Sequence, residues 1–412
     1  MKTKKPELLA PAANLEVLKT AVRYGADAVY IGGNEFGLRA KADNFDHDEM
    51  KEGIEHAHAH GVKVHVTVNI LAHNSDLKGV AEYLKELSDL RPDALIIADP
   101  GIFTMAKELC PGSDIHISTQ ANNTNYETYR FWHRLGAKRV VAARELTLEE
   151  LSGIKEKLPE GPEIESFVHG AMCISYSGRC LLSNYFTGRD ANHGECAHPC
   201  RWKYSVVEET RPGEYIPVYE NERGTYLFSS KDLCMIEHLP DLIKAGVSSL
   251  KIEGRMKTAL YVATVTRAYR MAIDDLFDSP SVYEERLGRY RDEVSKCTHR
   301  PFTTGFYYGK PSEEGVTYDD AYVNEYRYLG TIRDVGSDGF SLFEQKNKFR
   351  VGDTIEVMKP DGRDLSLEVL EMKAGDGTPM DSCPHASQPV YVRLSEVPEV
   401  GDIMRMPAPG SF

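Results

Sequence analysis

The sequence predicts a TIM-type (β/α) barrel with a cysteine-rich insertion after its seventh strand and a small C-terminal antiparallel β-barrel. Three observations carry this prediction. A helix–glycine–apolar repeat runs through the first 270 or so residues, five of the eight cysteines lie between residues 173 and 234, and the chain beyond residue 303 changes to short β-like runs.

The repeat joins an amphipathic stretch to a short apolar run through a glycine or proline. Residues 18–31 and 242–252 are two examples, with Gly25 and Gly246 at the break. Glycine there suits the left-handed cap that ends a helix, and the apolar run suits a buried parallel strand. The pattern predicts eight strands, at residues 7–12, 27–32, 63–69, 94–99, 114–120, 138–144, 163–169 and 248–254. Eight strands that alternate with helices are typical of a TIM-type barrel.

The predicted domains follow from this count. Residues 1–276 form the barrel, including the cysteine-rich insertion at 171–234. A helical linker at 277–302 leads to the small β-barrel domain at 303–412. An insertion after strand 7 leaves the barrel at its C-terminal face, where the active sites of such barrels lie.

Composition indicates a globular protein of the cytoplasm with no membrane segment. Hydrophobic residues make up 41% of the chain and charged residues 27%. No apolar run approaches the roughly 18 residues needed to span a bilayer, and the N-terminus lacks a signal-peptide core. The net charge of −14 argues against a surface broadly adapted to phosphate.

The clustered cysteines predict a metal centre, because structural disulfides are rare in a reducing compartment. Their spacing is Cys173-x6-Cys180-x15-Cys196-x3-Cys200, followed by Cys234. Thiolates suit iron–sulfur clusters or zinc. The zinc alternative would combine Cys196 and Cys200 with His193 or His198. The scattered thiols are interpreted as ordinary buried ones: Cys110, Cys297 and Cys383.

Five segments of the chain carry a recognisable pattern: residues 165–183, around the first two clustered cysteines, residues 189–202, around the next two, residues 251–257, and the shorter stretches 7–12 and 30–33. These segments resemble a family known as collagenase-like peptidases of unassigned catalytic type. The resemblance covers essentially the whole chain. Within the family, the chain is most similar to the branch that forms 5-hydroxyuridine at the tRNA wobble position and depends on prephenate. Sister branches hydroxylate 23S rRNA or a quinone.

The resemblance implies a four-cysteine iron–sulfur cluster, expected to be [4Fe–4S]. The positions that match the family's ligands are Cys173, Cys180, Cys196 and Cys234, which leaves Cys200 spare. Because Cys200 lies close to Cys196 in the sequence, Cys200 in place of Cys196 is the alternative. It also implies tRNA as substrate, prephenate as co-substrate and an electron-donor protein as partner.

A dianionic co-substrate needs guanidinium groups that can bind carboxylates in a bidentate manner. The strand ends and their loops offer Arg39, Arg144 and Arg255, and the cysteine block adds Arg179. Each of them could equally form a structural salt bridge. We expect Arg144 and Arg255 to be catalytic and Arg39 and Arg179 to bind substrate.

Other polar residues at predicted strand ends complete the candidate site. Asn69 and Gln120 are expected to bind substrate, and His169 to act as a proton donor or beside the cluster. Tyr176 is expected to stack on an extruded base, and Tyr185 and Trp202 are further candidates: packing around the cluster is the alternative for all three. Strand alternation places Glu165 and His169 on one face, and a Glu165–Lys251 pair inside the barrel would be structural.

Two competing functions remain open from the sequence. The family's older description suggests a peptidase, although the chain shows no His-Glu-x-x-His motif, no nucleophile elbow and no clear catalytic Cys–His pair. A non-catalytic assembly or redox partner of another enzyme is the second alternative.

Overall fold

A computed structural model describes most of the 412 residues. The described residues are 4–33, 36–37, 44–173, 175–177, 179–189, 191, 196–202, 205–206, 216–217, 229–309, 316–317 and 322–408. The predicted substrate residue Arg39 and the alternative zinc ligand His193 lie outside them.

The first part of the chain alternates strands with helices. In chain order its strands are β1 (Glu7–Pro11), β2 (Ala28–Ile31), β3 (Lys63–Val68), β4 (Ala94–Ile97), β5 (Asp114–Ile117), β6 (Arg139–Val141), β7 (Glu163–Ala171), β8 (Ser205–Val206), β9 (Ile216–Pro217), β10 (Ser229–Ser230), β11 (Asp232–Cys234) and β12 (Val247–Ile252). The helices are α1 (Leu15–Arg23), α2 (His47–Ala59), α3 (Leu77–Leu90), α4 (Pro100–Leu109), α5 (Tyr126–Leu135), α6 (Leu148–Lys157), α7 (Leu182–Thr187), α8 (Leu239–Lys244), α9 (Ala259–Asp278), α10 (Pro280–Glu285) and α11 (Leu287–Ser295). Two 3-10 helices, Thr119–Ala121 and Pro199–Arg201, complete the described set.

Strands β1 to β7 pair in sequence order, and β12 pairs with both β7 and β1, so eight parallel strands close into a barrel. The predicted TIM-type fold is confirmed, and each predicted barrel strand overlaps an observed one. Gly25, Gly136 and Gly246 have φ of +99°, +98° and +91°, the left-handed conformation expected at these helix ends.

The outer faces of the strands pack against the surrounding helices in one large apolar core. The inside of the barrel holds a much smaller apolar group, Leu9, Ala28, Tyr30 and Ile96, and is otherwise rich in polar side chains. This polar interior leads upward to the C-terminal ends of the strands, which we call the barrel mouth.

Two features of β7 were not predicted. It continues to Ala171 and pairs antiparallel with the short strand β11, which places Cys234 opposite His169. The register between β7 and β12 also shifts between Lys251 and Ile252, which pair with Phe167 and His169. This irregularity breaks the side-chain alternation, so the expectation that Glu165 and His169 share a face is wrong.

The C-terminal part contains β13 (Phe302–Thr303), β14 (Val316–Thr317), β15 (Tyr326–Val335), β16 (Ser341–Glu344), β17 (Thr354–Met358), β18 (Asp364–Ala374), β19 (Pro389–Leu394) and β20 (Ile403–Pro407). Six of them form a closed antiparallel barrel in the order β15-β16-β19-β18-β17-β20, with an apolar core of its own. The predicted small β-barrel is therefore confirmed.

The small β-barrel is fixed to the large one by buried polar contacts. The Tyr24 hydroxyl donates to the carbonyl of Met358 and accepts from the amide of Ile403. Arg405 and Arg267 both contact the carboxylate of Glu293, and burial of that carboxylate is outweighed by the two guanidinium charges, which lower its pKa to about 2. None of the helices in the described ranges has the length and apolar character that crossing a bilayer requires.

Candidate active site at the barrel mouth

A closed set of ion pairs fills the lower part of the barrel interior. This inner ion-pair network consists of Glu7, Arg139, Glu163, Glu165 and Lys251. Arg139 contacts all three carboxylates, and the Lys251 ammonium lies 2.7 Å from Glu165. Burial disfavours the charged form of Glu165, yet Lys251 and Arg139 outweigh it and lower its pKa to about 2. The predicted contact between Glu165 and Lys251 inside the barrel is confirmed.

Two buried histidines adjoin this network. Ligand atoms of His65, His116 and Glu165 lie within 4.8 Å of one another, a spacing that could suit a metal ion. Burial lowers the pKa of His65 to about 4 and that of His116 well below its usual value, so both rings are neutral at neutral pH. Glu165, however, already pairs with Lys251 and Arg139, whose positive charges would oppose a cation at this place.

Arg144 follows β6 and crosses the barrel mouth. One guanidinium nitrogen lies 2.9 Å from the Glu253 carboxylate, and the other lies 3.3 Å from the carbonyl of Ala171 and 3.9 Å from the sulfur of Cys173. The guanidinium carbon is 4.0 Å from the centre of the Phe167 ring. Arg144 therefore ties the end of β12 to the start of the cysteine-rich insertion and places a positive charge beside Cys173.

Arg255 is also buried at the mouth, on the loop after β12. Its Nη1 donates to the hydroxyl of Thr67 at 2.8 Å, and that hydroxyl donates to the carbonyl of Ile31. A Cβ on Gly32 would lie 2.2 Å from Nη1, so only glycine allows this close approach. The hydrogen bond to Thr67 and the close approach to Gly32 thus fix the position of the Arg255 guanidinium.

Asn69 and Gln120 meet at the ends of β3 and β5. The Asn69 amide donates to the hydroxyl of Ser118 at 3.4 Å, and the same hydroxyl accepts from the backbone amide of Gln120. Gln120 is 2% exposed, and its side-chain carbonyl oxygen has no hydrogen-bond partner among the residues that the structure describes. Because such an atom costs free energy when it is left unpaired, Gln120 is suited to accept a hydrogen bond from a ligand.

Asn122 attaches the insertion to the barrel. It adopts the left-handed conformation, with φ of +52°, at the end of the 3-10 helix after β5. Its side-chain amide donates to the carbonyl of Ser177 at 3.1 Å, and its oxygen accepts from Nε of Arg179 at 2.8 Å. Arg179 and Tyr176 are thereby held above the mouth, and both side chains are exposed.

The cysteines fall into two classes by accessibility. The three scattered thiols, Cys110, Cys297 and Cys383, are buried, as predicted. The clustered cysteines are exposed at Cys173 and half-buried at Cys180, Cys196, Cys200 and Cys234. The hydroxyl of Ser183 on α7 accepts from the amide of Ala197, which holds together the segments that carry Cys180 and Cys196.

The arrangement of the described cysteines does not match a preformed zinc site. Three thiolates bound to one zinc ion at about 2.3 Å would lie within 4.8 Å of one another. Among the described residues no three cysteine sulfurs do so, and neither do Cys196, Cys200 and His198. A cluster of several iron ions holds its thiolates farther apart than a single ion does.

His169 and Cys234 lie on the outer side of β7. The His169 ring packs 5.6 Å from Tyr269 of α9 and 5.5 Å from Phe302, and neither ring nitrogen has a partner in the described part of the chain. Burial lowers the pKa of His169 to about 3 and raises that of Cys234, which lies beside Tyr269, to about 11. The structure does not bring His169 together with Arg144 and Arg255.

The insertion also exposes aromatic side chains. Tyr176 is 45% exposed, Tyr185 82% and Trp202 46%, and Phe186 lies between the last two, with ring centres 5.2 and 6.4 Å away. Rings presented in this way could stack on an unpaired base. The predicted stacking role of Tyr176 stays a prediction.

Sequence reasoning missed Asn122, Glu253 and Ser118 as parts of the site. Glu253 could have been found, because it lies in the Lys251–Lys257 segment that carries the resemblance and within the predicted strand at residues 248–254. Asn122 and Ser118 act through contacts between distant segments, and no local pattern in the sequence signals them.

Comparison with known proteins gives consistent matches along the chain. The family model described as Peptidase family U32 matches residues 13–317, and that of the family's C-terminal domain matches residues 324–405. The chain is 42% identical over 405 residues to tRNA hydroxylation protein P1 of Bacillus subtilis, covering 98% of this chain and 95% of that protein.

Two proteins of Escherichia coli are also similar. The chain is 38% identical to tRNA hydroxylation protein P, and the match covers 91% of each chain. It is 38% identical over 293 residues to a 23S rRNA 5-hydroxycytidine synthase, a match that covers 71% of this chain but only 42% of that protein.

Proposed function

Because the chain belongs to peptidase family U32, and relatives of matching length are tRNA hydroxylation proteins, we propose that it is an enzyme that hydroxylates tRNA. The observation that carries the proposal is the group of accessible thiols at the mouth of a barrel whose other cysteines are buried. The match to the rRNA enzyme leaves more than half of that protein uncovered, which favours tRNA over rRNA as the substrate.

In its finer form, the reaction forms 5-hydroxyuridine at the wobble position. Replacing the C5–H bond by a C–O bond is a two-electron oxidation of the base, so it needs an electron acceptor and a source of oxygen. We propose a [4Fe–4S] cluster held by Cys173, Cys180, Cys196 and Cys234, which would supply the electron-transfer chemistry.

The cysteine thiols near the barrel mouth are of the ligand type that such a cluster requires. Four thiols are available on the insertion and on β11, which pairs with the end of β7 where the insertion begins. The Cys234 thiol lies beside Tyr269, and its proton would have to leave on binding iron. Cys200, four residues after Cys196 in the sequence, is the alternative ligand in place of Cys196 or Cys234.

Prephenate is the proposed co-substrate, and an electron-transfer protein is the proposed partner. Arg255, positioned by its hydrogen bond to Thr67, can bind a carboxylate. Arg144 contacts the sulfur of Cys173 and positions it at the barrel mouth. Gln120 offers an acceptor, and Asn69 a donor, beside the same opening. Arg179 and Arg39 remain proposed substrate residues, and His169 is proposed to act only through the segment that carries Cys234.

The peptidase alternative finds little support among the described residues. Ser183, close to the cysteines in sequence, is 1% exposed, and its hydroxyl accepts a hydrogen bond from the backbone. A serine nucleophile needs a hydroxyl that is accessible and paired with a base.

The test is a strain that lacks the gene and all paralogues of the same branch, complemented with this chain. Mass spectrometry of tRNA and 23S rRNA nucleosides should show 5-hydroxyuridine restored in tRNA and rRNA unchanged. Restoration of 5-hydroxycytidine in rRNA, or of neither modification, would contradict the proposal.

A further inference from the structure

A second opening lies beside the barrel mouth, between the two barrels. This cleft has a volume of about 780 Å³ and is bounded by the loops after β1 and β12 and by the first half of β15. Its basic lining residues are Lys257, Arg327 and Lys346, and Glu16 is the one acidic residue among the described lining.

Two of these cations have no carboxylate partner in the part of the chain that the structure describes. The Lys257 ammonium lies 5.0 Å from the centre of the Tyr261 ring. Arg327 donates from Nη2 to the sulfur of Met406, and its buried Nε has no partner. Lys346, in contrast, pairs with Glu344 at 2.6 Å.

Glu16, the one acidic residue of the described lining, already has polar partners. The Glu16 carboxylate accepts from the hydroxyl of Tyr328 at 3.4 Å and lies 3.5 Å from the guanidinium of Arg333. The described lining therefore carries an excess of positive charge, in a chain whose net charge is −14. Such a local excess attracts an anion that the rest of the surface repels.

The cleft and the proposed site share the loop after β12. Lys257 lies two residues after Arg255, on the loop that carries both, and the intervening Met256 is 57% exposed. The opposite wall, β15, belongs to the small β-barrel, which the contacts of Tyr24 and Glu293 fix against the large one. Both walls are thus in place before any ligand binds.

From this geometry we propose that the cleft binds the phosphate backbone of the substrate RNA, through Lys257 and Arg327, next to the nucleotide that enters the barrel mouth. The inference rests on the proposed function and adds the binding surface for the RNA. Backbone contacts of this kind position a nucleic acid without reading its sequence. They also resolve the conflict between an acidic chain and an RNA substrate, because only this face needs to attract phosphate.

The test compares two double variants of the full-length holoprotein. Lys257→Gln with Arg327→Gln removes the two cleft cations and keeps side chains of similar length. Lys63→Gln with Lys138→Gln removes two exposed charges at the opposite, N-terminal end of the barrel. Binding of an unmodified tRNA transcript is measured by fluorescence anisotropy over a series of salt concentrations, and thermal unfolding confirms that each variant is folded.

We expect the cleft variant to bind roughly tenfold more weakly, the effect of losing two net interactions of about 0.7 kcal/mol each. The logarithm of the association constant decreases as the logarithm of salt concentration rises. The magnitude of this slope should be smaller in the cleft variant by about 1.4, or about 0.7 for each lost phosphate contact. The control variant should match the wild type, and Lys257→Arg with Arg327→Lys should restore most of the affinity.

Two results would overturn the inference in distinguishable ways. If the wild type binds the transcript and both double variants bind equally well, the assignment of the cleft is wrong and the proposed function stands. If the wild type itself does not bind tRNA, the proposed substrate fails together with the cleft.

Discussion

The two ends of the large barrel's interior are built on opposite principles. At the lower end, every charged side chain of the inner ion-pair network has a partner of opposite charge, and Arg139 alone contacts three carboxylates. Among the described residues, the buried unpartnered atoms at the mouth include the side-chain oxygen of Gln120 and Nε of the charged Arg144, whereas those beside the network are Nδ1 of the neutral rings of His65 and His116. The comparison indicates that the closed network stabilises the fold, whereas the mouth keeps polar groups available for a ligand.

The largest effect should come from breaking the closed network. Glu165→Ala would leave Lys251 and Arg139 buried without their shared partner, so the free energy of unfolding should fall by about 3–5 kcal/mol. Denaturant-induced unfolding measures this change. Glu156→Ala, which removes an exposed carboxylate from α6, should alter stability by less than about 0.5 kcal/mol. A similar small loss for both variants would show that the network is not structural.

Mild acid should weaken the same end of the barrel. The folded-state pKa of His65 is about 4 and that of His116 is also well below the ordinary value of 6.5, so the unfolded chain binds protons first. Between pH 7.5 and 5.5 the ring of His65 should remove about 1.3 kcal/mol from the free energy of unfolding, and His116 should add a loss of the same sign. Below about pH 4.5, the lowered pKa of Glu165 adds a further loss. A free energy of unfolding that stays constant down to pH 5.5 would contradict the conclusion that the rings of His65 and His116 are buried and neutral.

A smaller effect on stability but a clear one on function is expected at the mouth. Arg144→Lys keeps the charge but cannot contact Glu253, Ala171 and Cys173 together, since lysine lacks the forked guanidinium. We expect the initial rate of tRNA hydroxylation to fall about 10- to 100-fold, as for residues that orient metal ligands. Arg134→Lys on the exposed face of α5 is the matched control, and equal rates in the two variants would remove Arg144 from the site.

The regular secondary structure of the large barrel could be predicted from the sequence. The repeated glycine breaks, such as Gly25 and Gly246, and the apolar runs after them are local signals, so the eight barrel strands could be predicted. The register shift near His169 could not, because it depends on how β7 pairs with β12. Likewise, β11 is too short to show a period, so the position of Cys234 beside Tyr269 became visible only in the structure.

The position of the candidate residues at strand ends was predictable from the sequence, but their contacts were not. Charged and amide residues at strand ends, such as Arg255 and Gln120, follow from the rule that barrel active sites lie at the C-terminal face. The hydroxyl of Thr67 that seats Arg255, and Asn122, which attaches the insertion, come from segments far apart in the chain. Only the fold brings them together.

The most direct test of the central claim is the iron and acid-labile sulfide content of protein purified without oxygen. The wild type should contain about four of each per chain. Cys173→Ser should lose both, although Cys173 is exposed and its substitution should leave the fold intact. Cys234→Ser should also lose them and Cys200→Ser should keep them, which decides between the two candidates for the fourth ligand. Zinc in the wild type, or no metal at all, would contradict the account.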